Sequence, residues 1–263
     1  MNALVSQRTS GRGEIKVFAS KVAVGAAAAE ATTLILARAL REREKARLIV
    51  ATGNSQLETV KCLAQTRDIE WSRVEVFHMD EYIGIPSGHP ASFRRWIKEK
   101  LADVVHPGQV RYIEGDAADL QEECTRYGGL LSGAPIDVCL LGIGENGHLA
   151  FNDPHTADFN DPMVMKLVTL DNVSRRQQVG EGHFPRLEDV PTQALTLTIP
   201  TLMKSEHIVC SVPERRKAEA VRNTLQGSIT PRCPASLLRT HPQVGIYLDV
   251  DSASRLDDFA TSA

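Results

Sequence analysis

The sequence has no excess of positive charge and no ordered cysteine pattern. Its 263 residues carry a formal net charge of -3, so no basic surface for nucleic acid is indicated. Cys139 and Cys210 lie inside apolar, strand-like runs, where a free thiol behaves as a small hydrophobe. The five cysteines are odd in number and show no paired ligand spacing: Cys62, Cys124, Cys139, Cys210 and Cys233. We therefore expect a reducing compartment, and neither a disulfide framework nor a zinc site.

The sequence also lacks a recognisable membrane or secretion signal. Residues 1–14 are polar and contain no apolar core of the kind found in signal peptides. No stretch approaches the ~20 apolar residues that a membrane-spanning helix needs. We therefore expect a cytoplasmic protein with no membrane partner.

No internal repeat, low-complexity tract or linker divides the chain. With 42% hydrophobic residues, 263 residues are enough for one large α/β domain. Residues 1–13 are polar and contain glycine, so we expect them to form a loosely held N-terminal arm. The remaining residues, 14–263, are expected to form a single domain.

Short apolar runs alternate with helical segments along this domain. Strands are predicted at residues 15–18, 47–51, 74–78, 110–113, 136–141, 164–170, 194–199, 207–212 and 244–250. Helices are predicted at about residues 20–45, 56–65, 91–102, 119–131, 214–224 and 234–239. This alternation predicts βαβ units and a doubly wound, mostly parallel sheet with helices on both faces, a Rossmann-like α/β fold.

The segment of residues 141–154 has the densest set of reactive side chains. It follows an apolar run and has three glycines within six residues, of which Gly144 is the second. Asn146, His148 and Asp153 come next. Ligands bind outside the carboxyl ends of strands in open parallel sheets, so these groups predict an active-site loop. The alternative is a tight strand-to-helix turn with ordinary surface polar residues.

The segment Thr52-Gly53-Asn54-Ser55 lies between a buried strand and a helix. The free N–H groups of a helix N-terminus suit a phosphate, and Thr52 and Ser55 add hydroxyl donors. The segment lacks the Gly-Lys-Ser/Thr ending of a full phosphate-binding loop. A helix N-cap at Asn54 or Ser55 is the other interpretation, and it is compatible with phosphate binding.

Asp80 follows a second predicted strand, among apolar neighbours such as Phe77 and Met79. Desolvation raises the basicity of a carboxylate, as a general base requires, so Asp80 is a candidate base. A solvated loop acid is the alternative.

Two basic segments are candidates for further substrate contacts. Residues 213–217 open a helix after a strand, and basic side chains in a first helical turn oppose the helix dipole. An anion held between Lys217 and the Thr52–Ser55 loop would explain them, although a solvated helix start remains open for Arg215 and Arg216. Residues 174–178 either cover the site with phosphate or sugar contacts or form a helix exterior.

Together these segments resemble the glucosamine-6-phosphate deaminase (isomerase) family, within a wider group that includes 6-phosphogluconolactonases. The resemblance covers about residues 15–250. The pairing of Met79-Asp80-Glu81-Tyr82 with His89-Pro90-Ala91-Ser92-Phe93 and with Ala150-Phe151-Asn152-Asp153-Pro154 is specific to the deaminases. The other matching pieces are residues 51–55, residues 142–149, Val190-Pro191, Ala194-Leu195-Thr196 and Arg216-Lys217-Ala218.

The resemblance implies an enzyme that converts glucosamine 6-phosphate and water to fructose 6-phosphate and ammonia, without metal or cofactor. It implies Asp80 as the enolisation base, His148 as the base that opens the pyranose ring, and Asp153 as the acid that orients His148. Asn146 completes this catalytic set, as an amide that can orient His148 by hydrogen bonding. The phosphate is assigned to Lys217 and to the loop of Thr52, Gly53, Asn54 and Ser55, with Gly144 as a further substrate contact.

Three positions depart from the usual pattern of that family. Asn146 stands where many members carry Asp, and Asp153 replaces the commoner Glu. The arginine that follows the mid-chain strand in the family has Arg175 or Arg176 as its candidate counterpart. The alternatives are a sugar-phosphate lactonase and a catalytically idle sugar-phosphate sensor, but the retained acid and base residues argue against the sensor. Homo-oligomer formation is left open.

Overall fold

The computed structural model describes residues 4–10 and 13–257. The strands within these ranges are β1 (Leu4–Ser10), β2 (Gly13–Phe18), β3 (Ala46–Val50), β4 (Val74–His78), β5 (Asp80–Tyr82), β6 (Gln109–Arg111), β7 (Val138–Leu141), β8 (Met165–Thr169), β9 (Gln193–Leu197), β10 (His207–Val212) and β11 (Val244–Asp249). The α-helices are α1 (Lys21–Glu42), α2 (Leu57–Gln65), α3 (Phe93–Ile97), α4 (Asp103–Val105), α5 (Leu120–Ser132), α6 (Asn172–Gly180), α7 (Ile199–Met203) and α8 (Ala218–Gln226). Shorter helical turns flank several of these: 3-10 helices at Asn54–Gln56, Trp71–Arg73, Leu187–Asp189, Arg215–Lys217 and Pro234–Thr240, and a π-helix at Lys98–Ala102.

Eight strands form the main sheet, in the order β1-β2-β11-β10-β7-β3-β4-β6. From β2 to β6 all neighbouring pairs are parallel, whereas β1 is antiparallel to β2. The seven parallel strands therefore direct their carboxyl ends to one edge of the sheet. Loops that follow β3, β4, β7 and β10 meet there.

Helices cover both faces of the main sheet, because side chains alternate along each buried strand. Leu48 and Val50 of β3 pack with α1 and α2 on one face. Ile49 packs on the opposite face with residues of α5 and α8. The prediction of a mostly parallel sheet with helices on both faces is confirmed.

Two predicted strands belong to a different sheet. β8 and β9 pair antiparallel with each other, and β9 also pairs with β5, in a three-stranded sheet of order β5-β9-β8. β8 buries Met165 and Val168 but exposes Leu167 and Thr169, so this strand is only partly covered. β3 and β7 are buried throughout.

The predicted N-terminal arm is partly regular structure. Leu4–Ser10 forms strand β1 along the edge of the main sheet, so the expectation of a loosely held arm is wrong there. The polar composition is explained by the edge position, where side chains face solvent and backbone hydrogen bonds hold the strand. Residues 1–3 and 11–12 of the predicted arm lie outside the described residues.

Helix α1 qualifies the expectation that no segment could span a membrane. Its 22 residues are long and apolar enough by length and composition. Half of its most apolar window is buried inside the protein, as in a core helix that packs on a sheet. The helix is weak evidence for a membrane span.

Candidate active site

The loop Thr52-Gly53-Asn54-Ser55 leaves β3 at the carboxyl edge and leads through the 3-10 helix Asn54–Gln56 into α2. Gly53 has a φ of 122°, which side chains with a Cβ rarely adopt. Gln56 is buried and its Nε2 donates to the Leu141 carbonyl at 2.9 Å, which ties the loop to β7. The buried Thr52 Oγ1 has no hydrogen-bond partner among the described residues. A ligand oxygen in the cleft would satisfy it.

Lys217 faces this loop from the 3-10 helix that follows β10. It is only 3% exposed, and burial lowers the pKa of its ammonium to about 8. Among the described residues, the ammonium has no hydrogen bond or ion pair. A buried cation without a direct partner favours an anionic ligand, because the ligand would replace the hydration that burial removed.

The neighbouring Arg216 is already surrounded by carboxylates. Its Nε lies 2.7 Å from Glu214, and its Nη1 lies 3.1 Å from Glu145 and 2.9 Å from Glu181. Of these three, Glu181 lines the cleft. The position of Glu181 could not be predicted because the long segment between β8 and β9 carries no motif that fixes its path.

Asp80 reaches the cleft from the first position of β5. It is 6% exposed, and burial together with the neighbouring Glu81 charge raises the pKa of its carboxyl well above the usual value. Glu81 points to the opposite side of the strand, as β alternation requires. There its carboxylate accepts hydrogen bonds from Ser92 Oγ at 2.8 Å and from the Arg94 N–H at 2.9 Å, so it caps α3. Of the two adjacent acids, only Asp80 is available to a substrate.

A buried histidine holds the backbone at Asp80. His78 Nε2 accepts from the Ile113 N–H at 2.9 Å, which leaves Nδ1–H to donate to the Asp80 carbonyl at 2.9 Å. Burial lowers the pKa of His78 to about 3, so the ring stays neutral. His78 therefore positions Asp80, a role that its place in an apolar strand does not indicate.

His148 and Asp153 form a buried pair at the end of β7. The imidazole Nδ1 lies 3.1 Å from Asp153 Oδ1, which leaves Nε2 for a substrate. The ring packs on Gly144 so closely that a Cβ there would come within 2.2 Å of it. Position 144 must therefore be glycine for the His148 ring to fit. Because Gly144 lines the cleft, His148 lies directly behind the cleft wall.

Asn146 and Ser174 complete this pair. Asn146 Nδ2 donates to Asp153 Oδ1 at 3.0 Å, while its Oδ1 accepts from the His148 backbone N–H at 3.0 Å. Ser174 Oγ donates to the same Asp153 oxygen and lies 3.1 Å from His148 Nδ1. Burial raises the pKa of Asp153, but hydrogen bonds from His148, Asn146 and Ser174 outweigh it and hold the pKa at about 2. Asp153 is thus a fixed negative charge behind the imidazole.

The structure brings most predicted residues to one cleft. The lining includes Thr52, Gly53, Asn54, Ser55, Asp80, Gly144 and Lys217. Asn146, His148 and Asp153 lie behind Gly144 and are not part of this lining. Residues that the sequence motifs contain, but to which no role was assigned, also line the cleft: Ala51, Met79, Phe93, Gly142, Ile143, Ala150 and Phe151. Gln177 and Gln178 come from the segment 174–178, and Glu181 was not singled out by the sequence.

Arg175 and Arg176 are not brought to the cleft, so the expectation of a phosphate contact there is not met. Arg175 Nη2 donates to the Leu187 and Val190 carbonyls at 2.7 and 3.0 Å, and Arg176 is exposed. The helical period explains this result. The inner side of α6 and its C-terminal turn presents positions 174, 177, 178 and 181, and the two arginines fall between them. Residues 174–178 therefore contribute to both arrangements: Gln177 and Gln178 line the cleft, and Arg176 lies on the exposed side of the helix.

One cluster of metal-ligand type lies next to the pair. Ligand atoms of Asp153, His155 and Asp171 all lie within 4.8 Å of one another. The Asp153 carboxylate already accepts hydrogen bonds from Asn146 and Ser174. The expectation of a metal-free reaction stays a prediction.

Comparison with known proteins gives consistent matches. Residues 19–246 match the family model described as glucosamine-6-phosphate isomerases/6-phosphogluconolactonase. Glucosamine-6-phosphate deaminases of Bacillus thuringiensis (strain Al Hakam) and Bacillus cereus (strain AH820) are each 37% identical over 226 residues, which cover 86% of this chain and 84% of each relative.

Solved structures give the same picture. A monomeric glucosamine-6-phosphate deaminase superposes with a TM-score of 0.83 at 31% identity, covering 91% of this chain and 98% of that one. A 6-phosphogluconolactonase from Thermotoga maritima superposes with a TM-score of 0.73 at 20% identity, covering 89% of this chain and 98% of that one. The second likeness shows the fold alone.

Proposed function

Because the chain belongs to the family of glucosamine-6-phosphate isomerases and 6-phosphogluconolactonases, we propose that it converts glucosamine 6-phosphate and water to fructose 6-phosphate and ammonia. The observation that carries this proposal is Asp80, a buried carboxyl in the same cleft as a phosphate-type loop and an unpaired lysine. Such a carboxyl is suited to moving a proton between carbon atoms. We place the reaction in the cytoplasm, with a small sugar phosphate as partner and neither nucleic acid nor membrane.

The phosphate is held between the Thr52–Ser55 loop and Lys217. The backbone N–H groups at the start of the 3-10 helix and the Thr52 hydroxyl donate to its oxygens. The Lys217 ammonium supplies the positive charge. This arrangement directs the sugar carbons toward Asp80 at the other side of the cleft.

His148 opens the pyranose ring. Its Nε2 removes the proton of the anomeric hydroxyl, while Nδ1–H remains bonded to Asp153. The Asp153 carboxylate stabilises the imidazolium that forms, and the proton is then delivered to the ring oxygen as the C1–O5 bond breaks. An open-chain aldehyde results.

Asp80 carries the isomerisation. Its carboxylate removes the C2 proton, the electron pair forms a C1–C2 double bond, and the aldehyde oxygen takes a proton from solvent to give an enolamine. Asp80 then returns its proton to C1, and loss of an N–H proton to solvent leaves an imine at C2. Water adds to C2, the C2–N bond breaks, and ammonia leaves as the ketone forms. The raised pKa of Asp80 makes its carboxylate a stronger base than an exposed one.

The discriminating experiment offers the purified protein 2-amino-2-deoxy-hexose 6-phosphates of the gluco, galacto and manno series, and 6-phosphogluconolactone. Ammonia release from the gluco substrate, with no acceleration of lactone hydrolysis, supports the proposal. Lactone hydrolysis without ammonia release would replace it with the lactonase, for which Asp80 has no carbon proton to move. Binding without either reaction would favour a sugar-phosphate sensor.

A further inference from the structure

Glu181 lies inside the part of the cleft assigned to the phosphate. Its side chain is only 7% exposed. One carboxylate oxygen, Oε1, lies 2.9 Å from Arg216 Nη1. The other, Oε2, is 3.8 Å from the point where a Cβ on Gly53 would lie. The carboxylate is therefore between the phosphate loop and the basic turn that carries Lys217.

Further contacts hold this residue against the loop. Asn54 Nδ2 donates to the Glu181 backbone carbonyl at 3.2 Å, so one side chain of the loop is already engaged. Gln177 Nε2 donates to Glu181 Oε1 at 2.9 Å. Because Lys217 has no direct partner among the described residues, Glu181 is an anion that sits near it without neutralising it by contact.

The charge balance of this corner opposes phosphate binding. Among the residues that the structure describes here, Arg216 and Lys217 are cations, and Arg216 is surrounded by the anions Glu145, Glu181 and Glu214. Glu181 is ionised at neutral pH: burial raises its pKa, but the hydrogen-bonding contacts with His183 and Arg216 and the nearby charge of Lys217 outweigh burial and lower the pKa to about 2. A phosphate dianion entering with Glu181 in place would meet a carboxylate at short range in a partly dry cleft.

We propose that the Glu181 carboxylate occupies the phosphate subsite of the free enzyme as an internal competitor, and that a sugar phosphate binds by displacing it. This inference rests on the proposed function. Displacement removes one of the carboxylates bonded to Arg216 Nη1, so that this atom can donate to the phosphate. An internal competitor weakens the binding of every anion by the same factor. Free inorganic phosphate then binds poorly, whereas a sugar phosphate still binds because its sugar makes additional contacts. Glu181 therefore sets how tightly phosphate ligands bind in general, and only ligands with further contacts are held at low concentration.

The test compares Glu181→Gln with the wild-type enzyme. Gln keeps the size and can still accept a hydrogen bond from Arg216, but it carries no charge. If the carboxylate fills the subsite about nine-tenths of the time, removing it raises the affinity for anions by about tenfold. We expect KM for glucosamine 6-phosphate, and Kd for inorganic phosphate measured by calorimetry, to fall by the same factor of about ten.

Glu145→Gln is the matched control. Glu145 pairs with the same guanidinium atom at 3.1 Å, but it does not line the cleft. If occupancy of the subsite is the cause, this variant changes both constants by much less than Glu181→Gln does. An equal fall in the two variants would overturn the proposal, because a general field effect would then explain it.

A rise in KM, or unchanged phosphate affinity, in Glu181→Gln would also overturn the proposal and show that Glu181 only supports α6. Glu181→Ala serves as a second variant if thermal unfolding shows that Glu181→Gln is not folded, and it should shift both constants in the same direction. Phosphate calorimetry does not depend on turnover. Normal wild-type turnover with no gain in Glu181→Gln would therefore reject this inference alone, whereas absent turnover with tighter phosphate binding would reject the deaminase instead.

Discussion

Replacing Lys217 with methionine tests the phosphate site, because the change removes the charge and keeps most of the side-chain volume. Burial lowers the pKa of Lys217 from 10.5 to about 8, which means that the charged form is disfavoured in the empty cleft by about 3 kcal/mol. A phosphate at ~4 Å restores a favourable interaction of up to ~4 kcal/mol at the effective dielectric typical of proteins. Since phosphate is held equally in ground and transition states, the loss falls on KM.

We therefore expect Lys217→Met to raise KM for glucosamine 6-phosphate by about 10²-fold, with kcat within a few-fold. Ammonia release, measured continuously over a range of substrate concentrations, gives both constants. Glucosamine without phosphate should be processed equally slowly by both enzymes. Equal losses of kcat/KM on the phosphorylated and unphosphorylated sugars would refute the assignment of Lys217 to phosphate.

The same residue predicts the alkaline pH dependence. Lys217 is charged below its pKa and neutral above it, so wild-type kcat/KM should fall as pH rises through about 8. In Lys217→Met this fall should be absent, because no titrating group remains to lose its attraction for phosphate. If kcat/KM of the variant still falls as pH rises through about 8, the fall belongs to another titrating group.

Two further predictions concern the pair behind the cleft. His148→Gln should lower turnover of the cyclic substrate by about 10²–10⁴-fold and leave an analogue that cannot cyclise unaffected; equal losses on both would place His148 in the carbon-proton transfer or in loop support. Gly144→Ala should displace the His148 ring, lower kcat and destabilise the fold by about 1–3 kcal/mol in thermal unfolding. The control is Gly129→Ala, which should leave kcat and stability unchanged because a Cβ at position 129 meets nothing within 4 Å. Matching unfolding curves for the two variants would show that Gly144 is not in close contact with His148.

The parallel sheet and much of the cleft were predictable because they depend on local patterns. Continuous apolar runs are typical of strands buried on both faces, and β3 and β7 are such strands. The polar loops that follow the parallel strands β3, β4 and β7 meet at one edge of the sheet. This brings Thr52, Asp80 and Gly144 together. The phosphate loop and the candidate base therefore follow from strand ends alone.

The remaining features depend on how distant segments pack. β8 and β9 are strand-like in sequence, but only their partner β5 decides that they form a separate antiparallel sheet. The rotation of α6 directs Ser174 to His148 and Gln177 to the Glu145 backbone, and it turns Arg175 away from them toward the Leu187 carbonyl. The short polar run 174–178 has too few apolar residues to fix that rotation from the sequence. The sequence could therefore offer Arg175 and Arg176 only as candidate counterparts of the family's arginine, and neither lines the cleft.

The measurement that tests the central claim most directly is ammonia release from glucosamine 6-phosphate by the wild-type enzyme and by Asp80→Asn. We predict equimolar ammonia and fructose 6-phosphate from the wild type, and a loss of turnover of about 10²-fold or more in the variant, as for removal of a general base. Substrate affinity, measured separately by calorimetry on the variant, should remain nearly unchanged because the phosphate contacts are intact. Normal turnover by Asp80→Asn, or no ammonia from the wild type, would contradict the account.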